Sequence, residues 1–289
     1  MARRLAPYLY ALPGLLLLAV ILAYPIGRGF YLSLHKYNLS SFSPPEYIGF
    51  ENYKALFADP MFIGALQHTL IFVVVSLTLE FVIGLMIALL LHQNFKGRNV
   101  LRGIALLPWM MPPVVTAFVW AWMLNGTYGI LNYGLVKVGL ISKPIAWLSS
   151  TDLALPVLIF VDVWQSTPFV MLVLLAGLQN IPESLYEAAR IDGADALRSF
   201  RHITLPLLKP SASVALLMRT MIALRFFDAV WVMTRGGPAS STEVLATYAY
   251  KKSMLGFRMG FGSAATTVIF LLSFVMSIGY IWLILRRED

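Results

Sequence analysis

The stretch QNIPESLYEAARIDGADALRSFRHITLPLLK, residues 179–209, lies between two long apolar runs, too polar to enter a bilayer and too structured to be a tether. Pro182 suits the first position of a helix, Glu183 and Glu187 favour its N-terminal half, and Gly193 supplies a left-handed stop after Asp192. That predicts a helix of about ten residues, roughly 15 Å long. A second short helix is expected from Asp195 to about His202, with Leu197 and Phe200 on one face and Arg198 and Arg201 elsewhere. Leu205 and Pro206 are expected to end it. A rigid helix-turn-helix of this kind transmits a push; a flexible loop does not.

Working outward, the flanks are membrane-like. Of the 289 residues 59% are apolar and 12% charged, about half the charge fraction of a soluble domain. Six runs are long enough to cross a hydrocarbon core of about 30 Å. They are 5–34, 67–91, 103–124, 153–178, 210–232 and 262–285, so the expected fold is an all-α membrane protein of six transmembrane helices. Asp162 in the fourth run, and Arg219, Arg225 and Asp228 in the fifth, leave the ends of those two soft. Prolines at 7, 13, 25, 108, 112, 113, 156 and 168 predict kinks or interruptions. The expected organisation is a first helix and outer loop over 1–66, a transmembrane domain over 67–285 and a tail over 286–289.

An even number of crossings puts both ends on one side, and Arg3, Arg4, Arg286 and Arg287 mark that side as cytoplasmic. The segments then inside carry 11 Lys or Arg in 50 residues, those outside 8 in 89, the expected asymmetry. Arg235, Lys251, Lys252 and Arg258 in the last outer loop dissent. The net charge of +8 is explained by this flanking pattern rather than by nucleic acid. The N-terminal run lacks an A-x-A cleavage site and is read as a retained helix. The aromatics Tyr37, Phe42, Tyr47, Phe50, Tyr53, Phe57 and Phe62 predict a compact element over 35–66. Glu243 to Met254 reads as a short helix with Leu245, Tyr248, Ala249 and Lys252 on one stripe.

The loop carries a resemblance. Glu187, Ala188 and Ala189, then Gly193 after three residues, Ile203 after nine more, and Leu205 and Pro206 after one resemble the EAA signature of importer permeases in the ATP-binding cassette (ABC) superfamily. The match fixes seven positions over 20 residues. YIGFENYKALF at 47–57, PFVMLVLLAGLQNIPESLYEAARIDGA at 168–194, LPLLKP at 205–210 and RFFDAVWVMTRGGP at 225–238 are similar to the carbohydrate-uptake branch, which includes maltose, trehalose and glycerol-phosphate permeases. The resemblance implies a type I importer permease in a bacterial or archaeal cytoplasmic membrane. It implies as partners a second permease, two ABC ATPases and an extracytoplasmic sugar-binding protein, with the permease held in membrane lipid. The substrate would be a di- or oligosaccharide or a related polyol.

In that family the loop is a coupling helix. Carried over, Ala188 and Ala189 allow close approach to an ATPase groove, Glu187 pairs with a basic residue there, and Gly193 permits the bend. Arg190, Asp192, Ile203, Leu205 and Pro206 complete the coupling set. ATP and Mg would sit on the partner ATPases, since this chain has no Walker A pattern and binds no cofactor of its own.

For the substrate path the candidates are charged or aromatic. Counted at about 1.5 Å per residue from the inner surface, Glu80, Asp162, Arg225 and Asp228 share a level some 20 to 26 Å up. Charges at that depth are expected to face a partner or a wet cavity. Arg225 and Asp228 are spaced to share a helical face, as are Asp162 and Gln165, while Trp164, Phe227 and Trp231 offer apolar surface to a sugar ring. The alternative is a structural ion pair of Arg225 with Asp228 or Glu80. Arg219 is placed nearer the cytoplasm, lining an exit or snorkelling. Packing is the default for Trp109, Trp120 and Trp122.

The absence of cysteine excludes disulfides and thiolate chemistry. His35, His68, His92 and His202 show no metal-ligand spacing and there is no G-x-S-x-G elbow, so no enzyme is expected. An ion-coupled secondary transporter of a small polar solute is the rival, weakened by the lack of an internal repeat.

Overall fold

The computed structural model describes residues 10, 12–41 and 43–285, with side chains for all of these but 281 and 283–285. Arg3, Arg4, Arg286 and Arg287, Pro7, Phe42, the start of the first run and the tail 286–289 lie outside the described residues. Helix dominates, because a backbone in hydrocarbon must satisfy its polar groups within its own segment.

Among the described residues four helices are long and apolar enough to cross a membrane: α1 (Leu12–Ser33), α3 (Pro60–His92), α7 (Ala154–Gln179) and the Met259–Tyr280 part of α13 (Met259–Leu285). The pair α4 (Arg98–Met110) and α5 (Pro113–Met123), bent by 90° at the break, has the length and composition of a fifth span if the two count as one. The third expected run is thus interrupted at the prolines that predict a kink or interruption. Pro112 and Pro113 lack N–H groups, and Pro112 holds Met111 extended at φ −75°, ψ 135°. The fifth expected run, 210–232, is also divided. It forms α10 (Leu205–Ala223) and a short α11 (Asp228–Met233), joined by the non-helical stretch 224–227. The remaining elements are β1 (His35–Lys36), β2 (Glu46–Tyr47), α2 (Glu51–Ala58), α6 (Ile130–Lys137), α8 (Glu183–Ile191), α9 (Ala196–Ser199) and α12 (Leu245–Tyr250).

The chain packs as two units, one running through Ile63 and resuming over Tyr248–Leu271, the other spanning Gly64–Thr247 and continuing from Leu272. In the first, β1 and β2 pair antiparallel with His35 opposite Tyr47, and the aromatic-rich segment closes on itself as expected. Buried Asn52 of α2 donates to the carbonyls of Ser33 (2.8 Å) and His35 (3.0 Å), and Tyr53 donates to the Ser33 hydroxyl at 2.7 Å. Asp59 begins α3: its side chain accepts from the Met61 N–H, the Tyr248 hydroxyl at 2.6 Å and Lys252 at 3.1 Å. Burial alone would raise this carboxyl; the three donors outweigh it and hold it below its ordinary value. The helix expected over 243–254 starts at Leu245 and passes into a π turn at Lys251–Leu255, with Leu245, Tyr248 and Ala249 buried as its stripe predicts.

In the second unit α7 is the central helix, buried along most of its length against α3, α4 and α10. Ala88, Leu91, Val170, Leu174, Leu178 and Leu208 form the innermost cluster. Two glycines let the helices approach this closely. A Cβ on Gly84 would lie 3.1 Å from Val170 Cγ1 and 3.2 Å from the Met171 nitrogen. On Gly177 it would lie 2.6 Å from Ser211 Cβ and 2.9 Å from Leu208 Cδ1. Ser211 and Leu208 sit on α10, so Gly177 fixes how near α10 comes to α7. Replacing Gly177 with Val is expected to force the two apart and destabilise the protein by about 1–3 kcal/mol. Thermal unfolding of the detergent-solubilised chain checks this; an unshifted midpoint would mean the helices do not need the contact.

Candidate functional site

The 179–209 loop folds as two helical pieces. Pro182 precedes the first rather than opening it: at φ −60°, ψ 131° it is the N-cap, and Glu183 is the first residue of α8. The far end is closed by Gly193 at φ +77°. Its N–H bonds the Arg190 carbonyl at 3.1 Å, and the Ala194 N–H reaches back to Ala189 at 2.8 Å, the paired bonds of a Schellman stop. Asp195 then caps α9, its carboxylate accepting from the Arg198 N–H at 2.7 Å.

The helix expected to stop at Leu205 and Pro206 does not stop. Residues 200–204 form a π turn, in which the Leu205 N–H bonds the Phe200 carbonyl, and the helix continues into α10. Pro206 falls at the start of α10, where the wider turn accommodates a residue with no N–H to give. The α9 to α10 run is thus one helical rod. The Tyr186 hydroxyl, 2.9 Å from Thr204 Oγ1, ties α8 to it, and Tyr186 and Ile203 both pack on the central cluster. Tyr186 was missed in the sequence because a lone tyrosine in a polar loop gives no signal of its partner.

The opposite face of α8 is open. Ser184, Glu187, Ala188 and Ile191 follow the helical period and are all exposed, Ile191 at 87%. Ala189 is half-buried, Asp192 and Gly193 are exposed at the turn, and Arg190 donates to the Tyr186 carbonyl at 3.3 Å. Leu205 is 39% exposed. Leu89, His92, Arg102 and Tyr186 are among the residues that line a cavity of about 1210 Å³ behind α8.

The second feature is buried. Arg219 of α10 donates from Nε and Nη2 to Glu80 Oε2 (2.7 Å) and Oε1 (2.6 Å) on α3, and from Nη2 to Asp162 Oδ2 (2.9 Å) on α7. Relative exposures are 3% for Arg219, 0% for Glu80 and 6% for Asp162. Ser166 donates to the other Asp162 oxygen at 3.2 Å. The shared level of Glu80 and Asp162 includes Arg219, not Arg225, which corrects the expectation that Arg219 lies nearer the cytoplasm. Because α10 begins at Leu205, five residues before the apolar run, Arg219 lies about 21 Å along it.

The other candidates separate. Gln165 donates to the Met111 carbonyl at 3.0 Å, satisfying backbone at the bend between α4 and α5. Trp164 stands edge-on to Trp120 at 5.4 Å and lines an apolar hollow of about 690 Å³ with Phe160 and Pro168. Arg225 and Asp228 do not share a helical face, because the helix is interrupted between them; both are exposed, with Arg225 Nε donating to the Met221 carbonyl at 3.2 Å. Arg225 forms no pair with Glu80, whose carboxylate is taken by Arg219. Phe227 and Trp231 stack at 5.6 Å, nearly parallel, beside the same break.

Known proteins share this fold. The trehalose/maltose transport system permease of Thermococcus litoralis is 40% identical over 282 residues, covering 98% of this chain and 94% of that one. A bacterial ABC transporter involved in the import of the acidic polysaccharide alginate matches at TM-score 0.84 and 25% identity, over 100% of this chain and 98% of its own. The alginate transporter in complex with an alginate pentasaccharide-bound periplasmic protein matches at TM-score 0.81 and 25% identity, over 96% and 93%. The family model for the inner membrane component of binding-protein-dependent transport systems matches residues 80–288. A match over that much of the chain, on a fold of this kind, means that the protein belongs to the family of binding-protein-dependent transport system inner membrane components.

Proposed function

We propose that this chain is one of two permease halves of an ATP-driven, binding-protein-dependent sugar importer that moves a di- or oligosaccharide, or a related polyol, by alternating access. The observation that carries the reading is the exposed face of α8, with Glu187, Ala188 and Ile191 outward, joined through Tyr186 and Thr204 to a rod running into α10. An apolar residue as exposed as Ile191, beside small residues and a carboxylate, fits a protein surface that docks a partner. In this reading the partner is an ABC ATPase that hydrolyses ATP, and α8 is the coupling helix. A push on α8 reaches α10 without crossing a flexible joint. The loop and both chain ends then lie on the cytoplasmic side, and an extracytoplasmic binding protein delivers sugar from the other.

For the sugar, the break between α10 and α11 is the better candidate than the buried triad. Phe227 and Trp231 offer a stacked aromatic surface to a pyranose face, with Arg225 and Asp228 beside it as hydroxyl partners. Glu80 and Asp162 are committed to Arg219 and hold α3, α7 and α10 together.

Reconstituted in liposomes with its partner permease, ATPases and binding protein, the chain is expected to take up sugar only with ATP, and to ignore proton and sodium gradients. Uptake driven by an ion gradient without the ATPases would establish the symporter reading instead. Glu187→Ala and Gly193→Val are expected to leave membrane insertion intact yet abolish uptake, the second because a β-branched residue is strained at φ +77°. A cysteine at position 188 that never crosslinks to the ATPase would overturn the assignment of α8. Tyr186→Phe removes one hydrogen bond, worth about 0.5–1.5 kcal/mol. It is expected to lower sugar moved per ATP hydrolysed, read by parallel uptake and phosphate-release assays.

A further inference from the structure

The triad of Glu80, Asp162 and Arg219 does not balance as drawn: two carboxylates meet one guanidinium. Glu80 Oε1 and Asp162 Oδ2 contact the same nitrogen, Nη2, at 2.6 and 2.9 Å, so the two acids are near neighbours. Among the described residues no second cation pairs with either. The helices around them offer none: Glu80 is the only charged residue of α3, Asp162 the only one of α7, and α10 adds only Lys209, ten positions from Arg219. The other side chain bonded to the triad, Ser166 on Asp162, is neutral.

We propose that Glu80 and Asp162 hold one proton between them, which makes the triad a neutral, buried proton-binding site. An uncompensated charge in an apolar interior is strongly disfavoured, and two carboxylates facing one another do not both ionise there. Both oxygens of Glu80 and one of Asp162 face the same guanidinium, so the proton belongs to the pair rather than to either acid. Arg219 keeps its charge throughout. The site therefore differs from a simple ion pair in one respect: it tolerates losing either acid as its neutral amide, but not both. With Glu80→Gln, Asp162 and Arg219 still cancel; with Asp162→Asn, Glu80 and Arg219 do. The pair Glu80→Gln with Asp162→Asn leaves the guanidinium buried without an anion.

The test is infrared spectroscopy of the full chain with its partner permease in lipid nanodiscs at neutral pH. The wild type is expected to show a protonated-carboxyl band that shifts in heavy water and on isotopic labelling of aspartate or glutamate. That band, equivalent to one carboxyl per chain, is expected to be lost in Glu80→Gln and in Asp162→Asn, with each single variant unfolding near the wild-type temperature and the double variant well below it. A wild type with no such band overturns the proposal, as does a band that survives both single variants. If the variants do not fold, the labelled wild type still decides: a band that moves with neither label overturns it.

Discussion

An arginine in the middle of an apolar helix must find an anion, and Arg219 is met by two carboxyl groups, one on each of two other helices. That requirement sets the level at which α3, α7 and α10 meet, since a guanidinium bonded through Nε and Nη2 leaves little freedom to slide. The close approach permitted by Gly84 and Gly177 supports the same arrangement by packing. Polar pairing fixes register and small residues fix distance.

How much of this was legible in the sequence depends on whether the signal was local. The first loop helix and its stop at Gly193 rest on residues within a few positions of one another, and the structure has them within a residue or two of where they were expected, whereas the second loop helix starts as expected but runs on past Leu205 and Pro206. The aromatic-rich element over 35–66 was legible for the same reason. The partner of Arg219 was not, because it is 139 positions from Glu80 and 57 from Asp162. Counting from the edge of the apolar run hid it, since the helix starts earlier, among polar residues. The interruption at 224–227 had no proline or glycine to announce it. The bend at Met111 did have prolines, which foretold a kink or interruption, though not the size of the angle.

The polar residues proposed for a substrate path fall into two groups on burial alone. Those inside the bundle already have partners: Glu80 and Asp162 with Arg219, Gln165 with a carbonyl at the bend. Arg225 and Asp228 stand at the surface of an interrupted helix, next to a pair of stacked rings. A break in a membrane helix leaves backbone groups unsatisfied unless protein or water meets them, and here the N–H groups of Leu224, Arg225 and Phe226 turn back onto carbonyls of α10. The break that the sequence concealed is where the sugar is proposed to bind.

The π turn at Phe200–Thr204 inserts one extra residue into an otherwise regular rod. In an α-helix each residue advances the azimuth by about 100°. The turn therefore offsets the faces of α9 from those of α10 by that angle while keeping the rod unbroken. A single-residue deletion within 200–204 would restore regular winding, yet it would swing α8 around the axis of α10 and pull Tyr186 away from Thr204. The length of this segment is consequently constrained even where its side chains are not, and its tolerance should be greater for substitution than for any change in residue number.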